Sequence, residues 1–181
     1  NEPEYSGKEW ADAYKKSVND IRRWNEMACE SESYLSKLTV ISHRDLDPKN
    51  VMWNGDKPSV IDWEAAGYMN PYQELLEVIN YWADDGAGKL VKEKYDALVN
   101  AYCRYMDISA AKWEEVFQGS YIGMLGWLEY NVKRALGIEV SDEAERLLGE
   151  SQVVGTIHEL CAYQEKIRQL QEWLCCEKNR I

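Results

Sequence analysis

The sequence predicts a mainly α-helical protein carrying one small β-hairpin. Three observations lead there. Apolar residues recur at three- and four-residue steps along most of the chain, the period of an amphipathic helix. The main break in that pattern, between His43 and Glu64, places Asn54-Gly55 between two short apolar runs, a strong short-range hairpin signal. No internal repeat, low-complexity tract or linker divides the 181 residues, so one domain over 1–181 is expected, long enough for a sizeable core. It comprises a helical lead-in over 1–37, a hairpin-containing centre over 38–64 and a helical remainder over 65–181.

The first element is a helix. Ser6-Gly7-Lys8-Glu9 has the form of a capping box, and Trp10, Tyr14, Val18, Ile21 and Trp24 follow at helical steps. The polar run Glu30–Ser33 is expected to end it near Cys29, with Tyr34, Leu35 and Leu38 forming a short second helix or turn. Leu38–Ile41 is β-branched and apolar and is expected to be a buried segment delivering His43 and Asp45 to a loop, through which Pro48 forbids a helix. Val51–Trp53 and Ser59–Asp62 make the hairpin, which brings Asn50 and Asp62, at its open ends, close to Asp45. Ala65–Pro71 reads as a loop. Beyond it, Leu75, Leu76, Ile79 and Trp82 mark one helix ending near Asp84-Asp85-Gly86, and Leu90, Tyr95, Leu98, Val99 and Tyr102 a second. A long third, capped by Ser109, carries Trp113 to Val132 and stops near Gly137. Ser141 or Asp142 can cap a fourth, and Ile157 to Leu174 mark the last, with Gly149 and Gly155 as points of interruption.

Composition excludes several function classes. A net charge of −11 argues against a general nucleic-acid binder, which needs a basic face, and against attachment to anionic membranes. It is compatible with a cationic small substrate, although an acidic surface commonly serves solubility alone. The five cysteines are odd in number, two are adjacent and none forms C-x-x-C, so neither a disulfide framework nor a zinc site is indicated. Scattered reduced thiols suit a cytoplasmic protein, and neither a membrane-spanning run nor a signal peptide is visible. Eight Trp and twelve Tyr against one Phe fit amphipathic core and rim packing, with a cation-binding aromatic pocket as the minority reading.

The stretch His43–Glu64, HRDLDPKNVMWNGDKPSVIDWE, carries the chemistry. Phosphoryl transfer from a magnesium nucleotide needs an oriented acceptor hydroxyl, a group to take its proton, and neutralisation of the phosphate charge. Asp45 fits the base. Asn50 offers a neutral oxygen and Asp62 a charged one, a mixed set that suits Mg²⁺, which keeps several waters and takes few protein ligands. His43 is expected to hydrogen-bond backbone and hold the loop in shape. Asp and Asn are common turn formers, so a lone D-x-x-x-x-N would mean little. Here the whole run His43-Arg44-Asp45-Leu46-x-x-x-Asn50 matches the H-R-D-L-x-x-x-N catalytic loop of kinases.

With these motifs the chain resembles the C-terminal lobe of the aminoglycoside phosphotransferase and choline kinase superfamily, the small-molecule kinases with a protein-kinase-like fold. Protein kinases carry Asp-Phe-Gly and then an activation segment ending in Ala-Pro-Glu. This chain has Ile61-Asp62-Trp63-Glu64, no Ala-Pro-Glu, and Gly67–Pro71 leading directly to a helix, as the small-molecule enzymes do. The motifs span residues 38 to about 82; the flanking helices match only in type and order. The resemblance implies a catalytic base at Asp45, Mg²⁺ and nucleotide phosphate held through Asn50 and Asp62, and support from His43 and Glu64. It implies ATP as co-substrate, a hydroxyl-bearing small molecule as acceptor, and residues 65–181 as the acceptor-binding part. Candidates for binding a cationic acceptor are Glu77, Trp82, Asp84, Asp85, Trp127, Glu129 and Tyr130, each weighed against ordinary core or surface roles. Two positions depart from the family pattern. Lys49 stands where Gly is frequent; of the two roles open to it, reaching phosphate or pointing to solvent, solvent is expected, and Met69-Asn70-Pro71 stands where Gly-Asp-Pro is frequent, with Glu74 replacing part of that acidic function.

No glycine-rich phosphate loop, strand lysine or partnering helix glutamate precedes His43. The chain opens on Asn1, so a piece of a longer protein is expected, lacking its N-terminal ATP-binding lobe and nearly inactive alone. The competing readings are a non-catalytic binding module with a kinase-like shape, which the intact Asp45, Asn50 and Asp62 disfavour, and a protein kinase lobe.

Overall fold

The computed structural model describes residues 5–138 and 140–178. The order of elements is α1 (Glu9–Leu35), β1 (Val40–Ser42), β2 (Val51–Asn54), β3 (Lys57–Val60), β4 (Gly67–Met69), α2 (Pro71–Trp82), α3 (Lys92–Tyr102), α4 (Trp113–Gly119), α5 (Tyr121–Ala135) and α6 (Glu143–Lys178). The protein is mainly helical, with two small antiparallel sheets, β1–β4 and β2–β3. No described helix is long and apolar enough to cross a membrane.

The chain divides into two compact units. One contains Tyr121–Glu165 with α1 up to Cys29; the other contains Glu30–Ser120 with the end of α6 from Lys166. In the first, Trp24 is buried and stacks on Tyr121 with ring centroids 5.7 Å apart, and Tyr121 meets Tyr163 edge-on at 4.9 Å. Leu128, Val153, Ile157 and Leu160 are buried in the same unit. Gly149 lies where α6 approaches α5: a Cβ there would stand 2.6 Å from Arg134 Cβ and 2.8 Å from the Ala135 backbone nitrogen. The glycine therefore lets two backbones close up, and α6 runs through Gly149 and Gly155 as one 36-residue helix rather than breaking there. Its start agrees with the expected cap, since Asp142 Oδ1 accepts the Glu145 N–H at 2.8 Å and the Glu145 carboxylate accepts from Ser141. Such reciprocal bonds satisfy the orphan donors of a helix start.

The second unit holds the hairpin. β2 and β3 pair Val51 with Val60 through Asn54 with Lys57, leaving a two-residue turn at Gly55-Asp56. Gly55 takes φ +60°, a conformation that favours glycine. The turn is tighter than expected, and Pro58 lies inside β3, opposite Trp53.

The structure corrects four expectations. α1 does not end at Cys29 but continues to Leu35, because Ser31 turns inward and is buried, so the polar run still presents a core face. The capping position before α1 belongs to Lys8, whose carbonyl accepts from Asp12, not to Ser6. Leu38–Ile41 is not buried: Ile41 is 75% exposed and belongs to β1, which pairs with β4 in a segment expected to be loop. The long third helix is two, α4 and α5, parted at Ser120, and Ser109 caps neither.

α2 begins as its sequence suggests. Asn70 accepts from the Tyr72 N–H through its side chain, and Pro71 occupies the first turn, where a missing N–H costs nothing. The Asn70 amide also donates to the Leu35 and Leu38 carbonyls, both at 3.1 Å, tying the end of α1 to the start of α2. Behind it Leu75, Leu76 and Ile79 are buried, as are Tyr95, Val99, Val116 and Phe117 from α3 and α4.

Candidate active site

His43, Asp45, Asn50 and Asp62 gather where β1 leaves its sheet and the hairpin closes. A 3-10 turn over Pro48–Asn50 is set by Asp47, whose carboxylate accepts the Lys49 N–H at 2.8 Å. The turn rotates Asn50 inward, where it is buried. Its amide nitrogen donates to the Asp45 carbonyl at 2.8 Å and to Asp45 Oδ2 at 2.9 Å. With the nitrogen so engaged, the Asn50 side-chain oxygen is the atom left for another partner. The Ile61 N–H donates to the Asn50 carbonyl at 3.0 Å, so the hairpin closes at Asn50 and Asp62 follows directly.

Asp62 sits at φ 62° and ψ 61°, left-handed backbone that is uncommon for any residue but glycine, with Asn and Asp the least penalised. Its carboxylate makes no hydrogen bond or ion pair among the described residues. Both flanks are held. His43 Nε2 lies 2.8 Å from the Ile61 carbonyl, which it can meet only as a donor, and the His43 ring packs edge-on against Trp63 at 4.8 Å. The Trp63 indole N–H donates to the Val60 carbonyl at 3.1 Å. His43 thus bonds backbone, as its sequence context suggested.

The catalytic-type loop is also anchored by α2. Glu74 Oε1 accepts the His43 N–H at 2.9 Å and lies 3.4 Å from the Arg44 nitrogen, while the Trp82 indole donates to the Leu46 carbonyl at 2.7 Å. Arg44 carries φ 66°, so the turn that these bonds stabilise is a strained one. The Glu74 and Trp82 contacts span more than thirty residues and leave no periodic trace in the sequence. Glu74 was legible only as a departure from the family pattern.

The other substrate candidates separate. Glu77, one turn beyond Glu74, lies within electrostatic range of Asp45. Burial, with the neighbouring Glu74 and Asp45 charges, pushes its carboxyl up to about 7 against the opposing pull of Arg44. An unfolded Glu77 loses its proton near 4.5, so between there and about 7 the unfolded chain binds fewer protons and stability falls as pH rises. Glu77→Gln is therefore expected to stabilise the protein at pH 8 by on the order of 1–3 kcal/mol and to change little at pH 4, read from thermal unfolding at the two pH values. Asp84 and Asp85 are committed to their own loop. Asp84 accepts from Gly86 and Gly88 and pairs with Lys166 at 2.8 Å; Asp85 accepts from Ala87 and Lys89. Desolvation opposes the lowering at Asp84, but its hydrogen bonds and Lys166 hold its pKa below the usual range, and backbone N–H groups do the same for Asp85. Trp127 and Tyr130 stack at 5.4 Å and are both half-exposed, with Glu129 paired to Lys133 at 2.8 Å; these three belong to the first unit. Glu64 is exposed on a 3-10 turn over Trp63–Ala65.

Lys49 does not simply point to solvent. Its side chain is 64% exposed, yet Nζ turns back to within 3.7 Å of Asp45 Oδ2.

The donor set fits magnesium. One amide oxygen and one carboxylate unpaired among the described residues are hard oxygen ligands of the number Mg²⁺ accepts while keeping its waters. Among the described residues no cluster of three or more His, Cys, Asp or Glu side chains forms a richer metal cage.

Comparison with known families gives a consistent result. The model of the phosphotransferase enzyme family matches residues 8–110, more than half of the chain and the whole of the stretch just described. The chain belongs to that family. No curated protein matches it.

Proposed function

We propose that this chain is the acceptor- and metal-binding C-terminal lobe of a Mg²⁺-dependent small-molecule kinase, which transfers the γ-phosphoryl group of ATP to a hydroxyl. The observation that carries the reading is the Asn50 amide on Asp45. It fixes the carboxylate by Oδ2 and leaves Oδ1 without a hydrogen bond among the described residues, which supports its use as the proton acceptor. Family membership supports the reaction class.

The acceptor hydroxyl hydrogen-bonds to Asp45 Oδ1, which orients its oxygen for in-line attack. The new O–P bond forms as the bond from phosphorus to the β,γ-bridging oxygen breaks, and that electron pair leaves with ADP. The hydroxyl proton passes to Asp45. Asn50 and Asp62 would hold Mg²⁺, which when bound neutralises charge on the phosphate oxygens. Glu74, His43 and Trp82 position: they fix the loop and the strand end that carry the reacting groups. A nucleotide-binding lobe of the same protein would cover ATP from the other side. The abundance of acidic groups, Glu77 among them, supports a cationic acceptor, and a cytoplasmic setting is consistent with the thiol content.

The test is acceptor-dependent ADP release by the full-length protein, with and without Mg²⁺, across aminoglycosides, choline, ethanolamine, homoserine and methylthioribose. Release with one of these classes, lost on chelation, is the expected result. A protein that binds such a compound but turns over no ATP with any of them would instead be a binding module.

A further inference from the structure

The geometry points to Lys49 as a second catalytic group, its ammonium neutralising the transferring phosphoryl group on the acceptor side; this rests on the phosphoryl-transfer reading above. The position of Lys49 is built. Pro48 fixes the backbone before it, Asp47 holds its N–H at 2.8 Å, and Asn50 after it is buried. The root of the side chain is therefore held while its stem is free to swing.

Nζ comes to rest 3.7 Å from Asp45 Oδ2, the oxygen that Asn50 also holds. As a stability device the pair is weak. An exposed ion pair of this kind contributes little, and the lysine side chain is 64% exposed. As a chemical device it is well placed. Only the acceptor oxygen separates Asp45 from the phosphorus, a hydrogen bond of about 2.7 Å and then a reacting gap of about 3 Å. Phosphoryl oxygens lie within reach of a four-carbon stem anchored there, and an ammonium offers three rotatable donors to follow a moving group.

The charge balance calls for such a cation. Between His43 and Glu64 the acids are Asp45, Asp47, Asp56, Asp62 and Glu64, and the cations Arg44, Lys49 and Lys57. Lys57 sits at the hairpin turn, opposite Asn54, and the Arg44 guanidinium lies against Gly67. Among the described residues Lys49 is the cation paired with the proposed base. Its ammonium pairs with Asp45 before transfer and donates to the phosphoryl oxygens as negative charge shifts during it.

The experiment compares Lys49→Met, Lys49→Arg and Asp45→Asn in the full-length protein. The proposal expects Lys49→Met to lower kcat about 10- to 100-fold with acceptor KM and the Mg²⁺ midpoint unchanged, and Lys49→Arg to recover most of the loss. It also expects Lys49→Met to bind ADP with tetrafluoroaluminate, a mimic of the transferring group, about tenfold more weakly by calorimetry while binding ADP alone normally. Lys49→Met with wild-type kcat and wild-type affinity for the mimic, beside an inactive Asp45→Asn, overturns the role of Lys49 and leaves the kinase reading standing. Full activity in Asp45→Asn overturns both. Equal melting temperatures exclude a folding cause, which the exposure of the Lys49 side chain leads one to expect.

Discussion

Asp45→Asn is expected to lower acceptor-dependent ADP release by about 10²- to 10⁴-fold, the range that a positioned general base contributes. The substitution is nearly isosteric and leaves the fold alone for a specific reason. The Asn50 amide bonds the Asp45 backbone carbonyl at 2.8 Å as well as its carboxylate, and an Asn side-chain oxygen can accept the second bond. The loop is otherwise held by Glu74 and Trp82, which bond the His43 N–H and the Leu46 carbonyl. Only the capacity to take a proton is removed. The exposed Lys49 loses its partner, but that pair contributes little stability. The measurement is steady-state turnover beside a thermal melt. Normal turnover in a normally folded variant would remove Asp45 as the base.

The residues proposed for the site lie close together along the chain, which is why a motif could name them. Asp45, Asn50 and Asp62 belong to one uninterrupted stretch whose Asn54-Gly55 pair is among the strongest local hairpin signals a chain can carry, although the turn itself forms one residue later, at Gly55-Asp56. The hairpin formed, closing on Asn50 and Ile61, with the second strand ending two residues earlier than expected and Asp62 just beyond it. α2 was equally legible, because Asn70 and Pro71 mark a helix start by capping chemistry and the apolar steps behind them are regular. What the sequence hid was set by partners far along the chain. β1 and β4 are three residues each, too short to alternate, and their central pair, Ile41 and Tyr68, faces outward on a sheet edge where hydrophobicity says nothing about burial. Ser31 looked like an interruption because a buried serine is uncommon. It continues the helix because its small side chain fits beside Gly119, where a Cβ would come within 2.8 Å of its hydroxyl. Gly149 looked like a break in α6 and is a point of close approach to α5. Glu74 and Trp82 hold the site by isolated hydrogen bonds thirty or more residues along the chain, and such bonds have no period.

Asp62→Asn is expected to raise the Mg²⁺ concentration needed for half-maximal turnover by at least about tenfold, since it removes the charge from the carboxylate proposed to hold the cation. The choice of asparagine decides what the experiment measures. Asp62 stands at φ 62° and ψ 61°, where most side chains cost about 1–2 kcal/mol, whereas Asn enters that region nearly as readily as Asp. Asp62→Asn therefore removes charge and keeps conformation. Asp62→Ala removes both, and its melting temperature should drop even without metal, because the strand end that His43 and Trp63 flank must hold a residue ill-suited to it. The left-handed residue comes just past the bond from the Ile61 N–H to the Asn50 carbonyl, so Asp62 directly follows the residue that closes the hairpin on Asn50. A magnesium titration of Asp62→Asn identical to wild type would mean that this strained carboxylate serves something other than metal. An equal loss in Asn and Ala variants, with only the alanine protein less stable, would separate the metal role from the structural one.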